Sequence, residues 1–321
     1  MKVFITRRIP QPGIDLLLNN GFDVEIFEKD QPIPNEVLLE KVKNIDALLP
    51  LLTDSISKEI IEKADNLKII ANYAVGFNNI DLDTATSKKI AVTNTPGVLT
   101  DATAELTWGL IMAVSKRIVE SDKFTRNGRF IGWGAMLFLG TELSGKTLGI
   151  IGAGRIGTAV AQRAAGFNMN ILYFSNSENE IIENNFNGKK VPFNELIRNS
   201  DFITLHVPLT DKTLHLIDKN ELNQMRDTAY IINTSRGKVI NEAALVNALK
   251  NNQIAGAGLD VYENEPELHK ELVELENTVL LPHIGSATLE ARTKMALMAA
   301  TNIIEYFKGK RPPNILNQDI L

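Results

Sequence analysis

Cysteine is absent from the 321-residue chain, and this excludes disulfide bonds, thiolate metal sites and a cysteine nucleophile. Positive charge is not in excess: the net charge is −5 and no long basic run occurs, which argues against a nucleic-acid-binding surface. No apolar run approaches the length of a membrane span, and the N-terminal run is too short for a signal peptide. We therefore expect a cytoplasmic protein with no bound metal and no membrane or nucleic-acid partner.

The chain is long enough for two domains, and its 44% hydrophobic and 23% charged residues are typical of a globular protein. Across residues 1–100, short apolar runs alternate with amphipathic stretches, which predicts a mainly parallel sheet covered by helices on both faces. The segment Thr95–Gly97 interrupts this alternation, and Thr100 or Asp101 could then cap a long helix that runs through Val119. We place the boundary between the two domains there.

The segment 146–166 reads KTLGIIGAGRIGTAVAQRAAG and combines a short apolar strand, a G-x-G-x-x-G pattern and an alanine-rich helix. Gly152 would permit the tight turn, Gly154 would let the backbone approach a pyrophosphate, and Gly157 would let the helix pack on the strand. The pyrophosphate would then lie on the free N–H groups of the helix N-terminus. A plain glycine-rich turn is the alternative, but the position of the pattern between a strand and a helix favours a dinucleotide site.

The next predicted strand, residues 170–174, ends in Ser175-Asn176-Ser177, and this ending bears on the cofactor. Sites for the unphosphorylated cofactor usually place Asp or Glu about 20 residues after the glycine motif, where the acid holds the ribose hydroxyls. Neither an acid nor an arginine occurs here, so nothing repels a 2′-phosphate and three short polar groups could bind one. The sequence therefore favours NADP(H), or the use of both cofactors, over NAD(H) alone.

Later strands end in polar residues, and these endings hold the candidate catalytic groups. Arg236 follows one strand in the segment TSRG, Glu265 lies after the next strand, and His283 opens a Gly-Ser turn after the last. Ligands bind at the carboxyl ends of strands in such sheets, so we expect the three side chains to converge on one crevice. Surface ion pairs are the alternative for Arg236 and Glu265, although an arginine can also grip a carboxylate through two hydrogen bonds.

The other histidines are predicted to have structural positions. His206 ends a strand beside Pro208, which favours a packing role, and His215 is expected to be half-buried. His269 lies in a charged stretch and is expected on a solvated helix.

Two predicted loops have features that a simple connection between secondary-structure elements does not require. Ala74-Val75-Gly76 follows a predicted strand, where main-chain N–H groups could bind an anion; a plain turn with Gly76 at positive φ is the alternative. Residues 128–140 concentrate large apolar side chains, including Trp133, in a loop broken by glycines. Such a loop is unusual on a monomer surface, so we expect a subunit contact or a pocket wall, with a loop buried inside one domain as the alternative.

The whole chain resembles the D-isomer-specific 2-hydroxyacid dehydrogenase family, and within it the glyoxylate/hydroxypyruvate reductase branch. The resemblance rests on six segments in the family's order: NYAVGFNNID, ELSGKTLGIIGAGRIG, LHVPLT, INTSRGKVINEAAL, AGAGLDVYENEP and LLPHIGSAT. The spacings also match, with 29 residues from Arg236 to Glu265 and 18 from Glu265 to His283. The chain departs from the family at Asn78, where many relatives have Asp.

The resemblance implies that Arg236, Glu265 and His283 are the catalytic residues. His283 would give a proton to the substrate oxygen as hydride arrives, Glu265 would favour the imidazolium, and Arg236 would orient the 2-oxo acid and polarise its carbonyl. The implied substrate contacts are Leu51, Leu52, Ala74, Val75, Gly76, Arg236, Ser286 and Trp133, the last of which a partner subunit could contribute. The implied cofactor contacts are Thr103, Gly152, Gly154, Arg155, Ile156, Gly157, Ser175, Asn176, Val207, Pro208, Thr213, Thr234, Ser235, Asp260, His283 and Gly285.

The resemblance also implies an α/β architecture of two Rossmann-like or flavodoxin-like parallel-sheet domains. A cofactor domain (101–287) would be inserted into a substrate domain made from residues 1–100 and 288–321. Family members are usually dimers through the cofactor domain, so a homodimer is expected. The expected reaction is the NAD(P)H-dependent reduction of glyoxylate or hydroxypyruvate to the D-2-hydroxy acid. Two alternatives stay open: another family member, such as a D-lactate dehydrogenase, and a dinucleotide-sensing scaffold similar to the C-terminal-binding corepressors.

Overall fold

The structure is a computed structural model that describes residues 1–320 and divides the chain into two α/β units. Unit 1 contains Met1–Leu99 and the segment from Ser286 onward, and unit 2 contains Thr100–Gly285. Each unit has one sheet, and all pairings between the named strands are parallel. The predicted fold class is therefore confirmed.

The N-terminal part of unit 1 alternates strands and helices as the apolar pattern predicts. Its strands are β1 (Lys2–Ile5), β2 (Asp23–Ile26), β3 (Ala47–Leu49), β4 (Ile69–Ala71) and β5 (Ala91–Thr93). Its helices are α1 (Gln11–Asn19), α2 (Asn35–Lys41), α3 (Lys58–Glu62) and α4 (Leu82–Ser87). The strand order β2-β1-β3-β4-β5 is that of a flavodoxin-like sheet, which changes direction between β1 and β3.

Unit 2 begins with two helices and continues as a seven-stranded sheet. Its helices are α5 (Thr100–Ser115), α6 (Ile118–Arg126), α7 (Arg155–Gly166), α8 (Glu180–Phe186), α9 (Phe193–Asn199), α10 (Lys219–Leu222) and α11 (Glu242–Lys250). Its strands are β6 (Thr147–Ile151), β7 (Asn170–Phe174), β8 (Lys189–Lys190), β9 (Phe202–Leu205), β10 (Tyr230–Asn233), β11 (Gly256–Leu259) and β12 (Thr278–Leu280). The order β12-β11-β10-β9-β6-β7-β8 is the doubly wound Rossmann order with one added strand.

A long helix, α12 (Leu289–Phe307), brings the chain back to unit 1, where it packs on α1. Thr288 caps this helix through a hydrogen bond from the Ala291 amide (3.1 Å). The two helices approach closely at Gly13, where an added Cβ would lie 2.7 Å from the Cβ of Ala296. Single 3₁₀ turns cover Val42–Asn44, Gly237–Val239, Leu272–Glu274 and Gln318–Ile320.

Two local predictions are wrong. The helix that starts at Thr100 ends at Ser115 rather than running through Val119, because Arg117 adopts a left-handed backbone conformation (φ 54°) and a second helix follows. The guanidinium of Arg117 donates two hydrogen bonds to Glu120, at 2.8 and 2.7 Å, which secures this break. His269 lies in a loop, not on a helix.

In the part of the chain that the structure describes, no helix has the length and apolar content needed to cross a membrane.

Candidate functional site

The glycine motif of unit 2 has the geometry that each glycine was predicted to provide. Gly152 has a φ of 98°, and an added Cβ would lie 2.7 Å from the His206 carbonyl carbon, so the turn requires glycine. An added Cβ on Gly157 would overlap the Gly152 carbonyl oxygen, which shows how closely α7 packs on the preceding turn. Gly154 instead has open space on its Cβ side and stands at the start of α7 with no capping side chain. The first-turn amides of α7 are therefore available to an anion such as a pyrophosphate.

The glycine turn lies where the strand order of unit 2 reverses, between β6 and β9, which is the expected ligand position in a doubly wound sheet. His206 follows β9 at this point, and both of its ring nitrogens are buried without a hydrogen-bond partner in residues 1–320. Burial lowers the pKa of His206 to about 3, because no group nearby compensates for desolvation of the imidazolium. His206 is therefore a neutral packing residue, as the sequence predicted.

The structure brings His283 and Glu265 together at the carboxyl end of the same sheet. His283 Nδ1 lies 2.8 Å from Glu265 Oε2, and the Tyr262 amide donates to Glu265 Oε1 at 3.0 Å. Burial alone would raise the pKa of Glu265, but the hydrogen bond and charge of His283, the Tyr262 amide and the charge of Arg236 together lower it. Glu265 is thus a carboxylate bonded to one nitrogen of the imidazole, which leaves Nε2 as the other possible donor.

Arg236 lies in the loop after β10 and is held there by its neighbours. Asn233 donates through its side chain to the Arg236 carbonyl (2.9 Å) and accepts from the Ser235 amide (3.0 Å). The guanidinium donates to the Ser235 carbonyl through Nη1 (2.7 Å). Burial lowers the pKa of Arg236 while the charge of Glu265 raises it, and an arginine remains a cation under both influences. Unit 2 therefore places a fixed cation near the His283–Glu265 pair.

A buried carboxylate, Asp260, fixes the backbone that follows His283. It accepts from the Ile284 amide and the Gly285 amide, both at 2.7 Å. Burial raises the pKa of Asp260, although these two amides and the charge of His283 act in the opposite direction. On the other side, the Thr103 hydroxyl donates to the Gly285 carbonyl at 3.0 Å. Two predicted cofactor contacts, Asp260 and Thr103, thus both hydrogen-bond to the backbone of a third, Gly285.

The remaining predicted cofactor contacts also lie at strand ends or helix starts of unit 2. The Thr234 hydroxyl lies 2.9 Å from that of Thr107 on α5, and the Thr213 hydroxyl donates to the Pro208 carbonyl at 2.6 Å. Ser175 follows β7 and is half-buried, whereas Asn176 is exposed. The other predicted contacts are half-buried or exposed in their loops or at the start of α7: Arg155, Ile156 and Val207. No group of three or more His, Asp or Glu residues in the described residues 1–320 could hold a metal ion.

In unit 1, two loops at the carboxyl end of the sheet carry the predicted substrate contacts. Leu51 and Leu52 follow β3, and Ala74-Val75-Gly76 follows β4. Gly76 is not in the positive-φ region, so the alternative of a plain turn with that conformation is wrong. The carbonyls of Ala74 and Val75 are held by the Thr95 amide (2.9 Å) and the Asn94 side chain (2.7 Å). Ser286, also a predicted contact, begins the returning segment of unit 1.

Two asparagine side chains connect these two loops. Asn72 and Asn79 hydrogen-bond to each other through both amides, at 3.2 and 3.3 Å. Asn72 also donates to the Gly76 carbonyl (2.9 Å), and Asn79 donates to the carbonyls of Leu51 and Asp54 (both 3.2 Å). The amide pair therefore fixes the position of the loop after β4 relative to the loop after β3.

The apolar loop, residues 128–140, is exposed within its unit. Ile131 is 99% exposed, Trp133 87% and Met136 78%, so the alternative of a loop buried inside one domain is wrong. The base of the loop is ordered by Phe138, whose ring packs edge-on against Phe124 and lies 5.0 Å from the Arg117 guanidinium.

Sequence reasoning missed several residues that support the site. They are the buried or half-buried polar side chains Asp54, Asn72, Asn79, Glu242 and Glu263. Glu242 directly follows a helix-capping asparagine, so its position marks a helix start but gives no signal of where its carboxylate points. Asn72 and Asn79 lie inside the segment NYAVGFNNID, whose pattern points to the backbone amides and to Asn78 but not to these two side chains.

Comparison with known proteins found a matching family model and proteins of similar sequence and structure. The family model for the NAD-binding domain of D-isomer-specific 2-hydroxyacid dehydrogenases matches residues 108–285. A glyoxylate reductase from Thermococcus litoralis is 52% identical over 324 residues, which cover 100% of this chain and 98% of that protein. A solved structure of a Thermus thermophilus protein has a TM-score of 0.93 at 39% identity, covering 98% of this chain and 100% of that one.

A more distant solved structure contains a bound cofactor. The NADPH-dependent glyoxylate/hydroxypyruvate reductase from Sinorhizobium meliloti, solved in complex with NADP and malonate, has a TM-score of 0.86 at 28% identity. The similarity covers 98% of this chain and 96% of that one.

Proposed function

This chain belongs to the D-isomer-specific 2-hydroxyacid dehydrogenase family, and on that premise we propose that it reduces glyoxylate and similar small 2-oxo acids to the D-2-hydroxy acids. The observation that carries the proposal is the 2.8 Å pair of His283 Nδ1 and Glu265 Oε2 near the half-buried Arg236, in the unit that also holds the dinucleotide motif. The full-length identity of 52% to a glyoxylate reductase supports this substrate class over that of a D-lactate dehydrogenase or a non-catalytic scaffold.

Each catalytic side chain has a role that follows from its contacts. His283 donates a proton to the substrate oxygen from Nε2, because Nδ1 is engaged by Glu265. Glu265 stabilises the imidazolium by its negative charge. Arg236 orients the substrate carboxylate and stabilises the negative charge that develops on the carbonyl oxygen.

We also propose roles for the loops of unit 1. The backbone amides of Ala74, Val75 and Gly76 bind the substrate carboxylate, which the neutral asparagine pair leaves free of competing negative charge. Leu51 and Leu52 provide an apolar wall that suits a substrate with a short carbon chain, and Ser286 provides a polar contact.

A nicotinamide dinucleotide supplies the hydride when bound. The residues that would hold its pyrophosphate are the open glycine turn and the first turn of α7, with Gly154 leaving room for the phosphates. Asp260, Thr103 and Gly285 form the hydrogen-bonded wall proposed to hold the nicotinamide end. We propose NADPH as the preferred cofactor, because Ser175 and Asn176 stand where an acid would repel a 2′-phosphate.

We further propose that a second copy of the chain covers the apolar loop, since Ile131, Trp133 and Met136 are otherwise largely exposed to water. Trp133 would then reach the substrate site of the partner subunit. Light scattering coupled to gel filtration should give the mass of a dimer, and Ile131→Asp should shift it toward the monomer. A wild-type monomer would contradict this assignment. The cytoplasmic location stays a prediction.

The deciding experiment measures initial rates of cofactor oxidation with glyoxylate and with hydroxypyruvate, each with NADPH and with NADH. We expect turnover of both acids, a higher kcat/KM with NADPH, and loss of turnover in His283→Ala with cofactor binding retained. A preference for NADH would contradict the cofactor assignment alone. Cofactor binding without turnover of any 2-oxo acid would instead favour the scaffold.

A further inference from the structure

The loops that carry Arg236 and Glu265 meet backbone to backbone. At Gly237, next to Arg236, an added Cβ would overlap the carbonyl of Tyr262 and lie 2.5 Å from the amide nitrogen of Glu263. No side chain fits between the two segments there. A shift of one loop therefore displaces the other.

Glu242, the first residue of α11, holds the second of these loops at two points. Its Oε2 accepts from the Glu263 amide at 2.9 Å, and its Oε1 accepts from the His269 amide at 2.8 Å. Glu265 lies between these two anchor points in the chain. Glu242 is only 8% exposed, so its bonds to these amides do not compete with bulk water.

The contact is reciprocal. The Glu242 amide donates to Glu263 Oε2 (3.1 Å), and the other oxygen of Glu263 lies 2.8 Å from His215 Nε2. The start of α11 also favours a carboxylate at this position, because the N-terminus of a helix carries partial positive charge. The titratable side chain that faces Glu242 is thus Glu263, which in turn contacts His215. The loop that carries His269 contacts Glu242 through the backbone amide of His269.

We infer that Glu242 is a positioning residue for the proton-donating pair: it clamps residues 263–269 so that Glu265 remains within hydrogen-bond distance of His283. The inference rests on the proposed function for its catalytic consequence, but its geometric content does not depend on turnover. Without the Glu242 carboxylate, two buried amides lose their acceptor and the loop relaxes to find other partners. Glu265 then spends less time on His283 Nδ1, and the imidazolium loses its stabilising charge.

The test compares Glu242→Ala and Glu242→Gln with Glu195→Ala in the full chain. Glu195 is a matched control, because it is an exposed glutamate in the first turn of α9 in the same unit. Glutamine keeps one acceptor oxygen but turns an NH₂ group toward a backbone N–H, so we expect it to retain part of the clamp.

In Glu242→Ala we expect kcat for glyoxylate to fall about 10-fold or more, with the KM for NADPH little changed, because misplaced catalytic groups affect the chemical step. The fall of kcat/KM with rising pH should begin at lower pH than in the wild type. The kcat and the pH profile of Glu242→Gln should lie between those of Glu242→Ala and the wild type, and those of Glu195→Ala should match the wild type. A lower Tm in Glu242→Ala with an unchanged pH profile and kcat would show a purely structural role and overturn the inference.

A second readout does not need turnover. The chain has four histidines, so their ring C–H signals can be followed by NMR at one fixed pH. We expect the His283 ring signals to shift in Glu242→Gln, because the ring loses part of its contact with Glu265, and to stay unchanged in Glu195→Ala. Unchanged His283 signals in Glu242→Gln overturn the inference. If wild-type protein turns over no 2-oxo acid while these signals shift, the proposed function fails and the positioning role stands.

Discussion

The strand-end loops of the two units are held in place by different chemistry. In unit 1 the brace is a pair of neutral amides, Asn72 and Asn79, which bond to each other and to the carbonyls of Gly76 and Leu51. The carboxylate of Asp54, in the loop after β3, accepts from the Leu51 amide (2.9 Å) and from the Thr6 hydroxyl. The loop after β4, which is proposed to bind a carboxylate, is braced by the uncharged side chains of the amide pair.

In unit 2 carboxylates brace the segments around His283 and Glu265, whereas the neutral side chain of Asn233 holds the loop of Arg236. Asp260 holds the amides after His283, while Glu242 and Glu263 hold each other's backbone on the two sides of the loop contact. Negative charge is useful here, because the site contains the cations Arg236 and, when protonated, His283. The charge of the bracing side chains thus suits the loops that they hold: it is zero beside the loop proposed to bind a carboxylate, and negative beside the cations of unit 2. It follows that pH should act on unit 2 more than on unit 1.

The largest effect should come from removing the charge of Glu265 without changing its shape. In Glu265→Gln we expect kcat for glyoxylate reduction to fall about 100-fold, since His283 loses the charge that keeps it a proton donor. The pKa of Glu265 is lowered by His283 and Arg236 against the effect of burial, so the wild-type carboxylate stays ionised to below its ordinary range. At mildly acidic pH Glu265 is therefore still ionised, and its protonation should not reduce the activity of the wild type. We expect the wild type to lose activity as the pH rises instead.

The measurement is the pH profile of kcat/KM for both proteins. The descending limb should move to lower pH in Glu265→Gln, whereas Glu267→Gln, an exposed change on the same loop, should keep the wild-type profile. If the two profiles for Glu265→Gln and wild type coincide, Glu265 does not set the charge of His283.

Sequence patterns were sufficient for the fold and for the principal site. Apolar runs gave the strands and their parallel arrangement, because a buried parallel strand has apolar residues on both faces. The glycine motif predicted a turn, an opening and a close packing contact, and Gly152, Gly154 and Gly157 have these properties. Strand-end positions predicted that His283 and Glu265 would meet, and they lie 2.8 Å apart.

The remaining features depend on contacts between distant parts of the chain. Nothing local in the sequence predicts that Glu242 reaches the amides of Glu263 and His269, because a glutamate at a helix start is most simply solvated. The break at Arg117 is equally hidden, since arginine is a good helix former and its left-handed backbone depends on the neighbouring structure.

An intermediate effect should follow from placing a charge in the neutral brace of unit 1. Asn79→Asp removes the NH₂ donor to the carbonyls of Leu51 and Asp54 and turns carboxylate oxygens toward them. We expect the KM for glyoxylate to rise about 10-fold, which corresponds to about 1.4 kcal/mol, because the anion-binding loop shifts and gains a repulsive charge. The KM for NADPH should be unchanged.

Steady-state kinetics with Asn79→Asp and Asn44→Asp separate these causes. Asn44 is exposed in the same unit, so its substitution adds the same net charge far from the brace. A rise in the glyoxylate KM of both variants would indicate a general effect of net charge and would remove the special role of the amide pair.

The smallest effect should be seen in stability, at the strand reversal of unit 2. Burial lowers the pKa of His206 to about 3, so the folded protein keeps this ring neutral while the unfolded chain takes up a proton below about pH 6.5. Above pH 6.5 neither state is protonated and His206 makes no pH-dependent contribution. Below it, the free energy of unfolding should fall by up to about 1.4 kcal/mol per pH unit.

His206→Phe removes the titration while keeping an aromatic ring at this position. Its packing cost, whatever its size, does not depend on pH, so the slope of stability against pH is the informative quantity. Denaturant unfolding at several values between pH 6.5 and 5.5 should show a flatter slope for His206→Phe, by about 1 kcal/mol over this range, than for wild type or His269→Gln. Equal slopes for His206→Phe and the wild type would mean that His206 gains a proton or a partner in the folded state. The strand reversal of unit 2 would then be no more sensitive to acid than the neutral brace of unit 1.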